Sequence, residues 1–195
     1  MIDILLNFLP EKSNFLNLFS YLTTRTILAT LTGLMMVLFL GETFIKRIRS
    51  LQFQQSIGDR GPDSHKIKDG TPTMGGLLII GSVILSGFLW GDLTNKYLLI
   101  SIFCLFMFAL IGFVDDYNKI KQKNQEGMSG ISKIFWQFIC ACIISVILYT
   151  TAENKSEISY IVPFFKEVVL DFGVWFIFIS IFIIIGSSNA VNLTD

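Results

Sequence analysis

Five long apolar runs, near residues 26–45, 74–91, 97–114, 134–151 and 173–188, constrain this chain more than any other feature. Each holds about 16–20 residues, or about 24–30 Å as helix, close to the depth of a bilayer's hydrocarbon. In that medium an open strand leaves peptide N–H and C=O groups without partners, so the runs must be helices. Charged residues make up only 15% of the 195, against about 25% in an ordinary soluble domain, and the run centres hold none. The expected fold class is therefore all-α: one polytopic integral membrane domain over residues 1–195, with five transmembrane helices and long loops at 46–73 and 115–133.

Several smaller features have plain physical readings. Ile4, Leu5, Phe8 and Leu9 recur at helical spacing and predict a short interfacial segment. Asp3 and Glu11, with no basic start, argue against a cleaved signal peptide. Cys104, Cys140 and Cys142 lie inside apolar runs and read as packed small hydrophobes. Gly33, Gly81 and Gly87 read as points of close helix packing, and Glu42 as meeting either water or Lys46 one turn on. Lys and Arg total 15, as do Asp and Glu, so no general basic surface invites nucleic acid.

The basic residues set the orientation. Lys46, Arg47, Arg49, Arg60, Lys66, Lys68, Lys119, Lys121, Lys123 and Lys133 fall in the loops after the first and third runs. Lys12, Arg25, Lys96, Lys155 and Lys166 fall on the other side. The positive-inside rule then puts 46–73 and 115–133 in the cytoplasm. Three polar clusters share that face: 59–76, 115–133 and 187–195.

The chemistry concentrates in these clusters. Asp115 and Asp116 stand where the third run leaves the membrane, and two adjacent carboxylates there are costly to ionise together. A divalent cation or an ammonium relieves that cost. On a continued helix Lys119 lies four residues from one carboxylate and three from the other. The pair reads equally as a diphosphate-plus-metal site or as a solvated helix end with an internal ion pair. Before the second run, Lys66 and Lys68 lead to Thr71-Pro72-Thr73 and then Gly75-Gly76. Pro72 holds Thr71 extended, Thr73 suits an N-cap, and the free N–H groups beside two lysines suit an anion. His65 is the chain's single histidine. In the third cluster, Asn189 and Asn192 share a helix face, and their amides suit the edges of a base or a sugar; taken alone the run reads as a plain polar helix end.

Taken in order, three runs of residues resemble the polyprenyl-phosphate N-acetylhexosamine-1-phosphate transferases. They are Gly61-Pro62 through His65 with Lys68-Asp-Gly-Thr-Pro-Thr-Met-Gly-Gly76, Val114-Asp115-Asp116-Tyr117-Asn-Lys119, and Asn189-Ala-Val-Asn192-Leu-Thr-Asp195. The first is most similar to the branch that transfers phospho-N-acetylmuramoyl-pentapeptide. The resemblance implies about ten helices, so this chain reads as an N-terminal half whose last motif stops at Asp195, with activity of that half alone left open. It implies UDP-N-acetylmuramoyl-pentapeptide as donor, undecaprenyl phosphate as acceptor, lipid I and UMP as products, and Mg²⁺ as cofactor. By the same resemblance Asp115 and Asp116 would be catalytic and hold the metal, with Asp115 deprotonating or orienting the acceptor phosphate. A covalent aspartate intermediate is the other form of the mechanism. Lys68, Thr73, His65, Asn192 and Asp195 would contact the donor. The expected setting is the bacterial inner membrane among its lipids, with a homodimer as one assembly and no nucleic acid. Rival expectations are transfer from UDP-N-acetylglucosamine, an inactive membrane fragment, and a transporter; clean run centres disfavour the last.

The orientation is open to test. In a chain whose native cysteines are replaced, Lys121→Cys should label in intact cells with a permeant maleimide and resist an impermeant one. Labelling by the impermeant reagent would reverse the assigned topology.

Overall fold

A computed structural model describes residues 16–50, 74–122, 127–161 and 169–194. The architecture is all-α, as the apolar runs require. The helices are α1 (Leu22–Ser50), α2 (Gly76–Trp90), α3 (Lys96–Gln122), α4 (Gly130–Thr151) and α5 (Trp175–Thr194). Helices α1, α3 and α4 are long and apolar enough to cross a membrane, whereas α2 and the apolar stretch of α5 are shorter. The 15 residues of α2 reach about 22 Å, so the chain flanking it must complete any crossing. The interfacial segment expected around Ile4–Leu9 lies outside the described residues.

The helix ends differ from the apolar runs for local reasons. Helix α1 continues to Ser50, past the run's end, because Glu42 pairs with Lys46 at 2.6 Å and Arg47 and Arg49 sit in its last turn. Helix α2 starts at Gly76 with Gly75 as N-cap and no side-chain cap, so Thr73, expected to cap it, lies two residues too early. Helix α3 opens on Asn95, whose side-chain oxygen accepts the N–H of Tyr97 at 2.9 Å. Helix α4 begins four residues before its apolar run, at a cap where Ser129 accepts from the Ser132 N–H.

The chain divides into two compact units at Met128 and Ser129. In the first, α1 and α2 run antiparallel. Arg25 near the start of α1 donates to the Trp90 carbonyl at the end of α2 at 2.6 Å, and the Trp90 indole N–H donates to Thr32 at 3.0 Å. Gly33 lets Ser86 approach: a Cβ there would stand 3.2 Å from its hydroxyl. Gly87 similarly meets Ile102 of α3, but Gly81, expected to be a packing point, has nothing within 4 Å of a Cβ. The buried serines of α2 satisfy themselves on the helix, Ser86 donating to the Ser82 carbonyl at 2.7 Å.

In the second unit α4 packs on α5 through Gln137, Cys140, Ala141, Ile144 and Ser145, spaced as one helix face. Ala141 is 0% exposed, and such small residues let two helices come close where no water drives them together. Between α4 and α5 lies a feature the all-α reading did not foresee. A two-stranded antiparallel ribbon, β1 (Ser159–Ile161) and β2 (Val169–Asp171), sets Ser159 opposite Asp171. It carries Tyr160, whose hydroxyl bonds Ser180 of α5 at 2.7 Å and whose ring packs on Phe176. Cys140 and Cys142 of α4 are free thiols.

The α4–α5 contact predicts an asymmetry. Ala141→Leu should destabilise the chain by about 1–3 kcal/mol through overpacking. Ile143→Leu, on the exposed face of α4, should change stability by less than about 0.5 kcal/mol. Detergent-unfolding curves of the two variants provide the comparison.

Candidate active site

Helix α3 does not stop at Val114. It carries the paired aspartates on a further two turns, to Gln122. Lys119 therefore meets both carboxylates, at 2.7 Å from Asp115 Oδ2 and 3.4 Å from Asp116 Oδ1. The shorter pair dominates. Lysines at 119 and 121 also suit the negative end of the helix dipole. Asp115 is only 8% exposed, and its other oxygen accepts the Met128 N–H at 2.9 Å. That amide donor, 13 residues ahead, escaped the sequence reading because it depends on the chain returning after α3. Burial works against the Lys119 ammonium, but the hydrogen bond and charge of Asp115, then Asp116, outweigh it and raise its pKa above the ordinary lysine value.

The entry to α2 lies at the same end of the unit. A cavity of about 250 Å³ is lined by Phe44, Arg47 and Ile48 of α1, Met74 and Leu77, and Phe113 and Tyr117 of α3. Phe113 and Tyr117 stack with centroids 6.2 Å apart. They flank Asp116 along α3, so the end of the Lys68–Gly76 run approaches the turn that bears the acids. Met74 is buried and holds φ at +67°, a conformation that costs a side-chain-bearing residue energy and is kept only where packing enforces it. His65, Lys68, Thr73 and Asp195 lie outside the described residues. Asn192 is placed as backbone in the last turn of α5.

In the second unit Asn189 donates to the Gln137 side-chain oxygen at 2.8 Å and to the Ile185 carbonyl at 2.9 Å. Gln137, inside an apolar run, is not among the residues singled out from the sequence. An amide there carries a signal of its own, since in hydrocarbon it must find a partner.

The arrangement on α3 suits charge stabilisation. Among the described residues no three His, Cys, Asp or Glu side chains gather, so any metal on α3 would be held by the carboxylate pair. Magnesium commonly takes one or two carboxylates and completes its shell with water and phosphate. The Lys119 ammonium, set between the two acids, shows that the pair accepts a cation. Hard oxygen donors and a neighbouring ammonium fit a Mg²⁺–diphosphate ligand.

Two matches to known proteins bear on this site. Residues 98–195 match glycosyl transferase family 4. Residues 68–80 match phospho-N-acetylmuramoyl-pentapeptide-transferase signature 1. The first covers the paired aspartates and the asparagine cluster; the second spans Lys68 through the first turn of α2.

Removing the ammonium should expose the cost of the acid pair. Lys119→Met is expected to destabilise the folded chain by about 1–3 kcal/mol, and Lys119→Arg by less. The contribution of Lys119 is fully present below the ordinary lysine value of 10.5 and is lost as pH rises through the raised one. Thermal melting of the variants in detergent, at neutral and strongly alkaline pH, measures both effects.

Proposed function

We propose a donor and an acceptor for this chain, which belongs to glycosyl transferase family 4. Its chemistry is that of a phosphoglycosyl transferase. The donor is UDP-N-acetylmuramoyl-pentapeptide and the acceptor undecaprenyl phosphate. The products are the lipid-linked muramoyl-pentapeptide diphosphate (lipid I) and UMP. The observation that carries this choice is the signature match over residues 68–80, whose Met74 lines one cavity with the α3 turn that bears the acids. The family match alone favours neither this donor nor the rival, UDP-N-acetylglucosamine.

An acceptor phosphate oxygen attacks the sugar-linked phosphorus of the donor, a new phosphoanhydride forms, and the bond to UMP breaks. Such transfer depends on positioning and on charge neutralisation more than on covalent help. Bound Mg²⁺ would supply part of that neutralisation, held by Asp115 and Asp116. Asp115 takes the acceptor's proton or orients its phosphate, and Lys119 pairs with the acids when the site is empty. Lys68 and Thr73 meet the diphosphate of the donor, and His65 contacts the donor as well. Asn192 and Asp195 read the nucleotide. The acceptor's headgroup and a cytosolic donor meet at the inner face of the bacterial cytoplasmic membrane, where the loop charges direct these residues.

Membranes carrying the longest reading frame that contains this chain should release UMP from labelled UDP-N-acetylmuramoyl-pentapeptide when Mg²⁺ and undecaprenyl phosphate are supplied. Asp115→Asn should lower the rate by about 10²–10⁴-fold. Transfer from UDP-N-acetylglucosamine alone would end this assignment.

A further inference from the structure

The acids of α3 are held by more than their lysine. With both oxygens engaged, one by the Met128 amide and one by Lys119, the Asp115 carboxylate cannot rotate about its terminal bond. A main-chain donor is a stiffer support than another side chain, since it brings no rotamers of its own. For that amide to reach the carboxylate, the chain after α3 must come back against the helix itself.

Gly127 is what permits the return. A Cβ at this position would stand 2.5 Å from Asp115 Oδ1, 2.9 Å from its carboxyl carbon and 2.9 Å from its backbone oxygen. The first two contacts involve a side chain that could turn away, at the loss of the Met128 bond. The third involves a helix carbonyl, which cannot. Conformation does not demand glycine here: among the described residues only Gly173 is a glycine at positive φ. The requirement at 127 is therefore one of contact, imposed by Asp115.

We propose that the Gly127–Met128 turn is a positioning device for Asp115, fixing the orientation of its carboxylate toward the reacting phosphate. The device rests on the reading of Asp115 as the residue that handles the acceptor. Neither Gly127 nor Met128 touches substrate; they act through Asp115. Alanine at 127 pushes the turn off α3, lengthens or breaks the amide bond, and frees the carboxylate to rotate.

The test separates this role from general stability. In the longest reading frame containing the chain, Gly127→Ala should lower kcat by about 10–100-fold, with the KM for UDP-N-acetylmuramoyl-pentapeptide within about twofold. In an Asp115→Asn background the same change should cost nothing further, because a device acting through Asp115 has nothing left to position. In the 195-residue chain itself, hydrogen exchange at the Met128 amide should be slow, and fast in both Gly127→Ala and Asp115→Ala. Should Gly127→Ala fail to fold, replacing Met128 by its 2-hydroxy-acid analogue removes only the N–H and should give the same kcat loss. An unchanged kcat, a loss that adds to that of Asp115→Asn, or unaltered Met128 exchange would each overturn the proposal. If Asp115→Asn itself leaves transfer intact, the proposed reaction mechanism fails instead, while Met128 exchange still reports whether the clamp exists.

Discussion

A peptide group in hydrocarbon finds no water to bond, and that fact governs the rest of this structure. Every apolar run must satisfy its own backbone along a helix, and polar side chains within the runs are driven to find partners or turn back on the helix, the buried Ser145 hydroxyl being an exception. The buried serines of α2 do the latter, bonding carbonyls three or four residues before them. Gln137 and Asn189 do the former, joining α4 to α5. Where the chain leaves the apolar zone the constraint relaxes, and there the charged groups gather: Arg25 on the last carbonyl of α2, and Asp115 and Asp116 with Lys119 at the far end of α3. The candidate site is thus a product of helix ends.

Much of this was legible in the residues, because the relevant interactions are local. The Glu42–Lys46 pair and the Asp115–Lys119 pair follow from helical spacing alone, and both form. Apolar runs locate helices well and their ends badly, since a helix stops where its caps are. Ser129 starts α4 early, and Gly75 rather than Thr73 precedes α2. What could not be read depends on chain return. The Met128 amide reaches Asp115 from across a loop, the ribbon between α4 and α5 pairs Ser159 with Asp171 and Tyr160 with Leu170, and Gly81 faces open space while Gly33 and Gly87 do not.

The electrostatics of α3 give the acid pair its character. Two carboxylates one residue apart repel, and a single ammonium between them turns that repulsion into a stable triad. The triad is asymmetric: Asp115 is nearly buried and held at both oxygens, while Asp116 is more open and lies farther from Lys119. An approaching cation can thus compete with Lys119 more easily at Asp116, while Asp115 stays fixed. Two chemically identical groups are thus made different by environment alone.

The antiparallel pairing of α1 with α2, and of α4 with α5, has a consequence for how the chain is made. Each partner is the next helix to be synthesised, so each hairpin can close as soon as its second member leaves the ribosome. The contacts that close them, Arg25 on Trp90 in one hairpin and Gln137 with Asn189 in the other, join segments close in time of synthesis. Pairing each of these helices with the next one made shortens the time its polar groups wait for a partner, which helps keep the nascent chain out of mispaired traps during biogenesis.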